Sequence, residues 1–156
     1  MSRTLVIGIG NTLRSDDGAG VLAARKIERQ FPDVDVITTQ ELLPEVAEAI
    51  SQSETVVFID ASIATDHVVV RNIITTDRQA SLTHFHSPES VLQLSAQLYG
   101  KLPGTRVVVE LPATNLELGE SLTPNTAHAV EQCLELFGAL LAGTCIPADD
   151  SPCEVV

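Results

Sequence analysis

The chain has 156 residues, the size of one ordinary domain; 44% of it is apolar and 19% charged, enough to bury a core and too apolar for a disordered polymer. Nine basic residues against 21 acidic ones leave a formal charge of −12. That balance argues against nucleic acid, whose phosphates need Lys and Arg to displace counterions, and against an anionic membrane surface, while admitting a basic partner or a metal cation.

Strand and helix signals alternate along the chain. Thr4 to Ile9 is a continuous apolar run bounded by glycines, as expected of a strand buried on both faces. From Gly18 to Gln30 apolar residues recur at Val21, Ala24 and Ile27, then at Phe31, a helical spacing. Val34 to Thr39 reads as a second strand, and Pro44 to Ser51 as a short helix with Pro44 in its first turn. Thr55 to Asp60 is the strongest strand and stops on an acid. His67 to Thr75 reads as another strand, its short connection pointing to antiparallel pairing with its predecessor. Ser87-Pro88-Glu89 has the form of an N-cap, a first-turn Pro and a first-turn acid, opening a helix to Tyr99. Arg106 to Leu111 is a fifth strand. Thr123-Pro124 opens the last helix, with apolar positions 127, 130, 134, 137 and 141.

Alternating elements of this kind predict an α/β three-layer sandwich, with a five-stranded, mostly parallel twisted sheet and helices on both faces. Residues 1–143 are expected to form a single domain, and 144–156, rich in Pro, Asp and Cys, an irregular tail. Three cysteines, at 133, 145 and 153, with no C-x-x-C, make no disulfide framework. Neither a signal peptide nor a membrane-length apolar run is apparent, so a cytoplasmic protein is expected.

The first strand empties into G-I-G-N-T-L-R-S-D-D-G-A-G, residues 8–20. A dinucleotide loop needs glycine where Leu13 stands, no phosphate-loop lysine follows, and two carboxylates would repel a pyrophosphate. The acids are the informative part. One Asp explains a helix cap, so Asp16 is assigned to structure and Asp17 becomes the candidate ligand. Asp60 ends its strand at the carboxyl edge, where open α/β sheets bind ligands, and can share a crevice with Asp17. Thr83-His84-Phe85-His86 adds two imidazoles before a helix start. Carboxylates with imidazole suit a first-row divalent ion such as nickel or zinc, with positions left open for substrate. His67 and His128 have no acidic company in the sequence and are taken as structural. H-E-x-x-H and G-x-S-x-G are absent, and Cys133 lies on a helix needed for packing.

Four blocks together resemble one known family: L-V-I-G-I-G-N-T-L-R-S-D-D-G-A-G (5–20), V-V-F-I-D-A (56–61), T-H-F-H-S-P-E-S-V-L with L-Y-G at 98–100, and N-L-E-L-G-E-S-L-T-P (115–124). The chain is similar, from about residue 4 to 142, to the hydrogenase maturation endopeptidases, which process the large subunit of nickel–iron hydrogenases. The resemblance implies three metal-binding and catalytic positions, which fall on Asp17, Asp60 and His84. His84 fits the family spacing to Leu92, with His86 as the alternative. It further implies a nickel-dependent, aspartyl-type or metal-dependent endopeptidase. The enzyme would remove the C-terminal extension of a large-subunit precursor once nickel is inserted, with nickel supplied by that precursor and the enzyme a monomer. Q-E-L-L-P-E (40–45), where many members are Gly-rich, is similar to the branch that serves bidirectional, NAD-linked hydrogenases. Two readings compete: a nickel-site chaperone that binds the precursor without cutting it, and a flavodoxin-like cofactor module, which would need the phosphate cradle this loop lacks.

Overall fold

A computed structural model describes residues 2–74 and 86–144, together with the backbone of 153–154. The elements run β1 (Thr4–Ile9), α1 (Ala19–Gln30), β2 (Asp35–Thr39), α2 (Val46–Ser51), β3 (Thr55–Ser62), β4 (Val69–Asn72), α3 (Pro88–Tyr99), β5 (Thr105–Pro112), α4 (Pro124–Leu141) and β6 (Cys153–Glu154). A single 3-10 turn, Ser15–Gly18, precedes α1. The sheet order is β2-β1-β3-β5-β4-β6. The first four strands in that order are parallel; β4 runs antiparallel to β5, and the two-residue β6 antiparallel to β4.

Strands buried on both faces need a helical layer on each. Val6, Val57, Ile59, Val107, Val109 and Leu111 pack under α1 and α4, while Leu5, Ile7, Val56, Phe58 and Val108 pack under α2 and α3. The expected sandwich forms, its five strands joined at the edge by the two-residue β6, which falls in the segment expected to be an irregular tail. Cys133 lies in the first of these layers, and burial pushes its thiol up to about 12. A thiol in that state is inert as a nucleophile. Phe31 meets Phe137 edge-on, ring centroids 5.2 Å apart, and Lys26 pairs with Glu131, so α1 and α4 are tied along their lengths.

The ends of α3 follow their local sequence signals. Ser87 caps α3 by accepting from the Ser90 amide at 3.2 Å, Pro88 fills the first turn, and Gly100 ends the helix at φ 67°. The partner of β4 departs from expectation. It is antiparallel, but to β5 and not to β3. The side of β3 away from β1 is taken by β5 in parallel register, and residues 63–68 form a connection long enough to step over one strand, which a tight two-residue hairpin turn cannot do.

The glycines of the first loop serve packing. A Cβ at Gly20 would lie 2.4 Å from the Ile59 carbonyl oxygen and 2.5 Å from that of Ile9. Glycine there lets the start of α1 sit directly on the carboxyl ends of β1 and β3. At Gly10, φ is +146° and a Cβ would meet the Asp17 carbonyl oxygen at 1.9 Å. Together the two glycines press the Asp16-Asp17 turn onto the sheet edge.

Candidate functional site

Asp17 stands half-buried on that turn, its Oδ2 accepting from the Asn11 amide at 3.0 Å. Asp60 lies in β3, two residues short of the strand's end at Ser62, so the strand does not stop on the acid as its sequence suggested. Its backbone neighbour across the ladder is Glu110 of β5. Both acids follow, by the period of two, the buried residues Phe58 and Val108 on the α2/α3 face. Hydrogen bonding to the neighbouring β5 keeps β3 regular here; what changes at Asp60 is the side-chain chemistry, where the apolar run gives way to an acid.

Burial pushes the Asp60 carboxyl up to about 6, and the negative charges of Asp17 and Glu110 add to that effect against a hydrogen bond from the Ala61 amide. The two sequence-predicted acids are therefore brought within electrostatic reach at one edge of the sheet, with a third acid beside them. Glu110 was not singled out in the sequence. The available signal was weak: an acid closing the V-V-V run of β5, as Asp60 follows the V-V-F-I run of β3. Arg71 of β4 donates to Glu110 at 3.5 Å and to Glu89 in the first turn of α3 at 3.2 Å, so the start of α3 is tied to this corner. His86, just before that helix, is exposed. His84 lies outside the described residues. Among the described residues, no three His, Cys, Asp or Glu side chains gather closely enough to hold a metal ion.

Asp16 is structural, but not as a helix cap. It is fully buried, and its carboxylate reaches across the molecule to the segment before α4. It accepts from the amides of Thr114 and Asn115 at 3.0 Å each, from the Thr123 amide at 2.8 Å, and from the Thr123 hydroxyl at 2.9 Å. Burial alone would raise its pKa; these hydrogen bonds outweigh burial and bring it down to about 2. A cap needs only local chain, whereas these partners are about a hundred residues away, out of reach of any spacing argument. His67 is a second correction. It precedes β4 and does have acidic company, its Nδ1 standing 2.6 Å from Asp66 Oδ1. His128 is exposed on α4.

The sequence matches no family model and none of the curated proteins. Solved structures do match. The fold is similar to that of the [NiFe] hydrogenase maturation protease HybD from Thermococcus kodakarensis, with a TM-score of 0.68 and 22% identity over 88% of this chain and 98% of that one. It is similar to the [NiFe] hydrogenase maturation protease HycI from Thermococcus kodakarensis KOD1, at a TM-score of 0.67 and 25% identity over 90% and 93%. The hydrogenase maturating endopeptidase HybD from E. coli gives 0.66 and 23% identity over 96% and 99%. With the sequence blocks and the three-dimensional match in agreement, this chain is a protein of the hydrogenase maturation protease fold that resembles that family along most of its length.

Proposed function

We propose that the protein is an endopeptidase that removes the C-terminal extension of a nickel–iron hydrogenase large-subunit precursor after nickel insertion. The observation that carries this reading is the pair Asp17 and Asp60 at the carboxyl edge, with the Asp60 carboxyl held at about 6. A carboxylate kept in unfavourable company by burial and by two neighbouring acids gains more than an ordinary one when a cation approaches. The matching solved structures, which are maturation proteases, support the processing role.

Nickel is taken here as part of the substrate, carried in by the precursor. Asp17, Asp60 and His84, with His86 as the alternative to His84, would be the residues to hold it, and two carboxylates with one imidazole leave positions for ligands from the precursor. A divalent ion so held can polarise a carbonyl or lower the pKa of a bound water. What the chain itself does is orient: Asn11 fixes one Asp17 oxygen, and the Ala61 amide holds Asp60. The reading further takes the enzyme as cytoplasmic and monomeric, and its client as a bidirectional, NAD-linked hydrogenase on the strength of Q-E-L-L-P-E. Among the described residues no helix is long and apolar enough to cross a membrane.

The test is incubation with nickel-loaded and nickel-free precursor, read by intact mass. Loss of the extension only from the nickel-loaded form is expected. A precursor that binds but keeps its mass indicates the non-cleaving chaperone instead.

A further inference from the structure

The loop after β1 and the loop after β5 are fastened to each other by their backbones. Gly119 N–H donates to the Leu13 carbonyl at 2.9 Å and Ser15 N–H to the Gly119 carbonyl at 2.7 Å, making a parallel bridge between Arg14 and Gly119. The Ser15 hydroxyl donates to the Glu117 carbonyl at 2.8 Å, and the Arg14 guanidinium to the Leu116 carbonyl at 3.2 Å. Ser15 is held at φ 54°, a left-handed conformation that a non-glycine residue adopts only when its surroundings impose it. Asp16 then locks the start of the second loop and the entry to α4.

On this immobilised double loop stand two large apolar side chains facing water. Leu13 and Leu118 occupy matching positions, each just before a bridged residue, and are 56% and 90% exposed. Ile63, on the loop after β3, is exposed at the same edge of the sheet. Folding gains nothing from leucines left in solvent, and a loop already held rigid has little backbone entropy to lose on docking.

We propose that Leu13 and Leu118 form an apolar anchor on which the precursor docks beside the acids of the sheet's carboxyl edge; this rests on the maturation-protease reading above. The partner surface it fits is an apolar patch flanking a cationic metal centre. Charge decides between occupants. Asp17, Asp60 and Glu110 mark this edge as negative, so a partner must bring positive charge to its centre, while apolar contacts around it exclude water and strengthen that attraction. A second copy of this chain would bring the same acids, and a net charge of −12, to the same edge.

Leu118→Ser and Leu13→Ser, each first checked by thermal melting, would be compared with wild type for cleavage of nickel-loaded precursor. Binding is read separately by rapid mixing of each variant and of wild type with the nickel-loaded precursor, before cleavage proceeds. The expected result for Leu118→Ser is a Kd and KM raised about tenfold or more, with the loss in KM rather than kcat, an unaltered melting temperature, and recovery in Leu118→Met. A Kd within twofold of the parent overturns the anchor while leaving the protease reading standing. So does a wild-type dimer in sedimentation that Leu118→Ser dissolves, since the leucines would then serve self-association. A wild-type protein that neither binds nor cleaves the precursor overturns both.

Discussion

Replacing Asp60 by Asn removes a charge that the folded state tolerates poorly. The carboxyl is raised from 3.8 to about 6, so folding disfavours its ionised form by on the order of 3 kcal/mol at neutral pH. The sign follows from proton binding. Between about pH 4 and 6 the native protein holds this proton more tightly than the unfolded chain, so stability falls as pH rises through that window and stays low above it. Asparagine keeps an oxygen to accept from the Ala61 amide and offers an N–H to the neighbouring carboxylates of Asp17 and Glu110. Some of the gain is lost to imperfect geometry, leaving about 1–3 kcal/mol, or a melting temperature roughly 3–10 °C higher for a chain of this size. Processing activity should vanish in the same variant, the usual opposition between a strained site and stability. Thermal melts of both proteins from pH 4 to 8 check this. The difference should be small near pH 4, grow to about pH 6 and then level. An Asp60→Asn protein that melts below wild type at pH 7, or a difference that ignores pH, refutes the electrostatic account of this sheet edge.

Asp16→Ala, which a capping role would set at about 1 kcal/mol, is expected to cost about 3–5 kcal/mol in urea titrations, because the buried amides of Thr114, Asn115 and Thr123 lose their acceptor. The stability that Asp16 supplies, through a carboxyl lowered to about 2, is present above about pH 4 and lost as pH falls toward 2, which acid titration of wild type against the variant would show. Gly20→Ala should destabilise by about 1–3 kcal/mol or block expression, since its Cβ would press on two backbone oxygens that cannot withdraw. Cys133 should resist alkylation in the native protein and react once denatured, as intact mass would record; ready labelling of the folded protein contradicts its burial.

Local chemistry was legible because it depends on neighbours in sequence. β1 runs from Thr4 to Ile9 as its apolar run suggested, Ser87-Pro88 starts α3, and Gly100 stops it. The strand–helix alternation led to the right layers because a strand buried on both sides demands a helix on each. Asp17 and Asp60 could be nominated from the rule that loops at the carboxyl ends of parallel strands converge. The rest required the third dimension. That β4 joins β5, that Glu110 stands beside Asp60, and that Asp16 spans to Thr123 are facts of register and long-range hydrogen bonding, set by which strand edges remain open and which buried donors need an acceptor. Two adjacent aspartates look alike in sequence. The capping rule could set one of them aside as structural, but only the packed structure shows what each does: Asp16 is held ionised by buried donors from across the molecule, and Asp17, half-buried on the turn before α1, acts electrostatically on Asp60.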